Sequence, residues 1–426
     1  MNCIARLTTC LVCCAIVPAC YSPDSIAEPA VRPLTYRLDY EFRPEPTAGL
    51  VHAMATLTQP RALLREVSFP ASPRVTGLEG DGQLDREDGV WHWRPPAEGG
   101  ALHWTVSVPH RRNGSGFDAW LGAEWGVFRA EDLIPRAASR TLKGARSETW
   151  MRFSLPHGWS VVTEYPKRDG RFRVDKPGRR FDQPGGWIVV GHLGVRRETI
   201  AGVRVAVAAP VGQSVRRMDI LAMLNWTLPE LSRLVPDLPG RITIVSAGDP
   251  MWRGGLSAPR SLYLHADRPL ISENATSTLV HEVMHLALGI DAAEGYDWIS
   301  EGLAEYYSLE LLQRSGTISN SRYERARADL AEWAKQAEEL CRHNSSGPVT
   351  AKAVTVFERL NREMRRVSDG AANLDDLVQA LVSRQGKADL ATLRDMAESL
   401  AGHELESLRP DRLPGCGAAD SATARS

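Results

Sequence analysis

His281-Glu282-Val283-Met284-His285, followed by Asp297-Trp298-Ile299-Ser300-Glu301-Gly302-Leu303-Ala304-Glu305-Tyr306-Tyr307, is the stretch on which the reading of this chain turns. Two histidines four positions apart share one face of a helix, so both imidazoles can reach a single ion. Glu282 lies beside that face, where a carboxylate can take a proton from a water held at the ion. Ser272 or Asn274 can cap the start of such a helix and Gly289 can end it. Glu301 follows His285 by sixteen positions and opens a second helix. Two imidazoles and a carboxylate make the three protein ligands of a catalytic zinc, with a fourth position left open. The expectation is a Zn2+ site with His281, His285 and Glu301 as ligands and Glu282 as general base. Glu305, one turn beyond Glu301, is placed to accept the Nδ1 proton of a ligand histidine, with His281 the first choice. Asp291, six positions after His285, is a rival third ligand. That alternative needs Gly three residues after the second histidine, where this chain has Leu288, so Glu301 is preferred.

Working outward, the surroundings of this stretch are helical on one side and mixed on the other. After Asn274 helical spacing recurs near 275–288, 297–314, 321–343, 350–367, 373–385 and 389–401. Before it come a helix from Val215 to Leu228, bent or restarted at Pro229, and the β run Ile242-Thr243-Ile244-Val245. The Gly-rich Arg253-Gly254-Gly255-Leu256 follows, then a short strand Ser261-Leu262-Tyr263-Leu264-His265, read as the edge of the sheet. From Leu34 to Pro210 short alternating runs, such as Tyr36–Phe42, Leu102–Val108 and Gly202–Val207, are separated by turn clusters. With 426 residues, more than one core is expected. The fold class is therefore α+β in two domains. An antiparallel, β-sandwich-like domain over 30–211 precedes a mainly helical domain with a small sheet over 212–410, and 411–426 forms a tail.

The first twenty residues read as a secretory signal, with Arg6 before an apolar run from Cys10 to Ala19. The run closes on Val17-Pro18-Ala19-Cys20, which resembles a bacterial lipobox that would lipidate Cys20. Tyr21 after the Cys favours an outer-membrane lipoprotein facing the periplasm, and the only expected membrane contact is that anchor. Five of the seven cysteines lie in this leader, leaving Cys341 and Cys416, which export would favour joining as a disulfide. Lys and Arg number 51 against 52 Asp and Glu, with no polybasic block, so there is no electrostatic case for nucleic acid.

The string Trp298-Ile299-Ser300-Glu301-Gly302 with Tyr306-Tyr307, behind His281–His285, resembles the gluzincin metallopeptidases, and the glycyl aminopeptidase family in particular. Leu238-Pro239-Gly240, Gly254-Gly255-Leu256 and Ser368-Asp369-Gly370 before Leu374-Asp375-Asp376-Leu377 extend the resemblance over about 213–400. It implies a thermolysin-like catalytic domain behind the β domain, without the C-terminal PDZ domain often found in that family. Two positions depart from the pattern. Ser257 stands where the family has a Glu that binds the substrate's free amine, and Thr350 where it has a Tyr that supports the tetrahedral intermediate. Tyr263, His265, Tyr323 and His343 are candidates to replace that Tyr.

Two functions follow from these residues. The first is an exported zinc metallopeptidase acting on peptides or proteins, with the choice between aminopeptidase and endopeptidase left open by the two departures. The alternative is a catalytically weak or inactive zinc-containing envelope lipoprotein that binds peptides or proteins. A structural zinc would have no use for Glu282 and would close its fourth position.

Overall fold

The computed structural model describes residues 34–416 apart from 113, 135, 176–182 and 385, so the leader, Cys20 and 417–426 lie outside it. The chain is mixed α+β, β-rich at its N-terminal end and helical beyond. Strands Thr35–Glu45 and Leu50–Thr58 alternate buried and open positions, burying Tyr36, Leu38, Tyr40, Phe42, Val51 and Leu57 on one face. They sit in a seven-stranded sheet with Gly99–Ser107 beyond Leu50–Thr58 and Arg146–Phe153 on the other side. A four-stranded and a five-stranded sheet complete this part, and their inward faces share one apolar cluster with the seven-stranded sheet.

The pairing is not wholly antiparallel. Thr35–Glu45 runs parallel to Arg146–Phe153, Tyr40 facing Met151. The long excursion between these strands allows the parallel pairing that a hairpin cannot make.

Beyond it lies a mixed five-stranded sheet in the order Leu193–Ile200, Val203–Pro210, Arg241–Ala247, Ser261–His265, Gly255–Ala258. Here the structure corrects the sequence reading. Ser261–His265 is interior, parallel to Arg241–Ala247 on one side, and the edge is Gly255–Ala258, which pairs antiparallel with it. Two glycines had masked this short strand. The run Ser261–His265 is buried at every position, as an interior strand requires.

Helix Arg217–Leu234 continues through Pro229, and the helix read as 321–343 stops at Ala334. The following segment is pinned instead of helical: Leu340 N–H donates to Pro414 O, and Cys341 is disulfide-bonded to Cys416. One large core joins the mixed sheet to the helices. A smaller cluster, including Trp125, Val127, Trp187 and Val189 of the β-rich part with Val245, Ala247 and Tyr263 of the mixed sheet, packs the two together. Among the described residues no helix is long and apolar enough to cross a membrane.

Candidate metal centre and cleft

The helix carrying both histidines is Thr278–Leu288. Its N-cap is Ser277, whose Oγ accepts from Val280 N–H at 3.2 Å. Neither Ser272 nor Asn274 caps it, because Ser272 Oγ is spent one turn earlier on Thr276 N–H, at 3.1 Å. Gly289 ends the helix in the left-handed region at φ 56°, where a Cβ is costly. The second helix, Trp298–Arg314, crosses it and brings Glu301 over the histidine face.

His281 Nε2 lies 3.0 Å from His285 Nε2, Glu301 Oε2 is 3.3 Å from His281 Nε2, and Glu301 Oε1 is 3.2 Å from His285 Nε2. All three offer a ligand atom within 4.8 Å of one another, the one such group among the described residues. A tetrahedral zinc with bonds of ~2.0–2.1 Å has ligand atoms about 3.3–3.4 Å apart. The carboxylate spans the two imidazole nitrogens, one oxygen close to each, and the donor set, two imidazoles and a carboxylate, suits zinc. Burial pushes the Glu301 carboxyl up, but hydrogen bonding to His281 and His285 outweighs it and holds the group at about 2. Glu305 Oε2 is 2.8 Å from His281 Nδ1, which orients the ring with Nε2 toward the cluster. Asp291, the rival ligand, is exposed and outside the group, and the chain leaves the site there, its carbonyl accepting from Ala388 N–H.

Glu282 is 8% exposed, and burial pushes its carboxyl up, with the flanking imidazoles and the Ser257 hydroxyl pulling the other way. It is pressed against the edge strand. A Cβ at Gly255 would lie 2.9 Å from Glu282 Cγ and 2.6 Å from Thr278 Cγ2, so only glycine lets this backbone come so close to the carboxylate.

A cleft of about 410 Å³ opens on the cluster, between the edge strand with Trp252 on one side and Trp333, Ser345 and Thr350 on the other. Thr350 does line it, its Oγ1 3.2 Å from Ser345 Oγ. The four candidates to replace a tyrosine do not. Tyr263 is buried with its hydroxyl on the carbonyls of Ala247 and Trp252, and His265 is buried beneath Asp249 and Asp267. Tyr323 bonds Glu310, and His343 is an exposed partner of Glu294. Two contributors escaped the sequence reading. Asp297 Oδ2 accepts from Ser345 N–H at 2.7 Å and so ties the far wall to the start of the Glu301 helix. Arg268 lines the cleft from the turn after Ser261–His265. An Asp just before a helix reads as a cap, and an isolated Arg in a turn carries no local signal.

No family model matches the chain, and no curated protein matches it. Solved structures do. An aminopeptidase N family protein from Idiomarina loihiensis superposes with a TM-score of 0.68 at 18% identity, covering 88% of this chain and 76% of its own. The M1 zinc metallopeptidase of Deinococcus radiodurans does so with a TM-score of 0.53 at 16% identity, covering 89% of this chain and 95% of its own. A single-residue variant of that protein bound to Tyr-Ser-Ala substrate gives a TM-score of 0.56 at 16% identity, over 88% of this chain and 91% of its own. At these identities the likeness is one of fold: this chain has the two-part architecture of the M1 zinc metallopeptidases.

Proposed function

We propose that this protein is a zinc metallopeptidase that hydrolyses peptide bonds, with His281, His285 and Glu301 holding the metal and Glu282 as general base. The observation that carries this reading is the convergence of three zinc-type donors, their ligand atoms within 4.8 Å of one another, beside a buried carboxylate that faces an open strand edge. The M1-type fold of the neighbours named above points the same way. Bound zinc would supply Lewis acidity at the scissile carbonyl and acidify the attacking water.

The remaining steps fall to the chain itself. His265 N–H donates to Gly254 O, so strand alternation turns the backbone groups of Gly255 and Ser257 toward the open edge. An extended peptide adding to that edge is aligned by main-chain hydrogen bonds. Its carbonyl is then carried past Glu282, which takes the proton of the attacking water and passes it to the leaving nitrogen. Thr350, held by Ser345, is the neutral hydroxyl on the facing wall.

We also infer export, with anchoring at Cys20 by a lipid. The Cys341–Cys416 disulfide supports an oxidising compartment.

Glu282→Gln tests the reading. The variant should keep one zinc per chain by elemental analysis and lose cleavage of a quenched peptide library by roughly 10²–10⁴-fold. Equal cleavage by both proteins sinks the role of Glu282. No cleavage by either, with zinc bound, supports the zinc-containing binding protein instead.

A further inference from the structure

The charged groups that line the cleft are His281, Glu282, Glu301, Glu305 and Arg268. His281, Glu301 and Glu305 are joined in the metal cluster, and Glu282 is the proposed base beside it. His281 contacts both Glu301 and Glu305, and Glu282 is buried against Gly255. Arg268 is different. Its side chain is exposed, and among the described residues it makes no ion pair and no side-chain hydrogen bond. The adjacent Asp267 faces Arg253 instead, at 3.7 Å. The base of the side chain is nonetheless held, because Arg268 N–H donates to His265 O at 3.1 Å and the adjacent Asp267 N–H donates to His265 Nδ1 at 3.2 Å. A guanidinium fixed at its root and free at its tip is suited to paired hydrogen bonds with a carboxylate.

Among the described residues, the facing wall lines the cleft with no carboxylate. Ser345, Ser346, Gly347 and Thr350 are neutral, and they stand at the start of helix Pro348–Val367, which has no side-chain cap. An ammonium entering the cleft would meet Arg268 and the positive end of a helix dipole, and among the described residues the only carboxylates lining it are Glu282 and those of the metal cluster, Glu301 and Glu305.

We propose that Arg268 selects the substrate by a carboxylate, supplied by an acidic side chain or by the chain's own C-terminus, and that a free amino terminus is not what this cleft recognises. This rests on the peptidase reading for the direction in which the peptide lies. The charge preference itself is a property of binding.

The test uses Glu282→Gln protein, full-length and zinc-loaded, with short N-terminally blocked fluorescent peptides of Ala, Leu and Phe. In one series a single Glu or Gln is moved along the peptide, and in another the C-terminus is free or amidated. Anisotropy titration should show roughly 10-fold tighter binding of one carboxylate peptide over its uncharged twin. The series in which the preference appears identifies its source. The preference should vanish in Glu282→Gln/Arg268→Gln, persist with Arg268→Lys in weaker form, and reverse with Arg268→Glu, all at unchanged melting temperature. The proposal is overturned by equal binding of twins, by a preference that survives Arg268→Gln, or by no binding of any peptide. Cleavage of the same peptides by the protein with Glu282 intact separates the two readings. Charge-selective binding without cleavage removes the peptidase and leaves Arg268 its role. Cleavage indifferent to charge does the reverse.

Discussion

Glu305 is the side chain through which the proposed metal site would be tuned by a group that is not one of its ligands. Its Oε2, 2.8 Å from His281 Nδ1, favours the tautomer that keeps Nε2 free toward the cluster and makes that nitrogen a stronger donor. Glu305→Ala should therefore weaken zinc affinity by roughly 10–100-fold with folding retained. Competition against a chromophoric chelator measures it, and an unchanged affinity would leave Glu305 as a surface carboxylate. At this scale much of the site is legible along the chain. An i, i+4 pair puts both imidazoles on one helix face, and one turn separates Glu301 from Glu305. Arg268 and Asp297 are not legible, because what matters about them is which distant groups they face or leave unpaired. Tyr263, His265, Tyr323 and His343 were plausible by chemistry alone and lie elsewhere by packing.

Between elements the critical contact is the crossing of helix Trp298–Arg314 with helix Pro348–Val367. Gly302, next to Glu301, is buried there, and a Cβ would fall 2.4 Å from Ala353 Cβ and 2.9 Å from Phe357 Cε2. Neither neighbour can swing aside as a surface side chain would. Gly302→Ala should force the helices apart, at a cost of about 1–3 kcal/mol, and displace Glu301 from the two histidines. A lower melting temperature with weaker zinc binding is the expected result. Unchanged values would mean that this packing yields freely. Periodicity located most helices and strands because amphipathic burial repeats every 3.6 or 2 residues. It failed where tertiary bonds override local preference. Gly255–Ala258 is a strand only because Ser261–His265 pairs with it, and 335–347 is not helical because Asp297, Pro414 and Cys416 hold it.

Over the whole molecule, the Cys341–Cys416 bond spans 75 positions and encloses the last three long helices. In the chain-entropy view, closing a loop of that length stabilises by about 4 kcal/mol. Replacing both cysteines by Ser should lower the denaturant midpoint and loosen the cleft wall that follows Cys341. Zinc affinity should change little, since neither cysteine is among the cluster's donors. A midpoint equal to that of the oxidised protein would show that the tail docks without the bond. Trp187 shows the same dependence on long-range order, its Nε1–H reaching Leu256 O of the edge strand from the β-rich part at 2.9 Å. By itself, then, the sequence determined the α+β order, the donor types and their local spacing, since these depend on residues within a few turns of each other. Tertiary structure alone decided which strand is the edge, how close it comes to Glu282, and that Arg268, unpaired among the described residues, lines the cleft. Those facts depend on the packing of segments far apart in the chain, which no local period encodes.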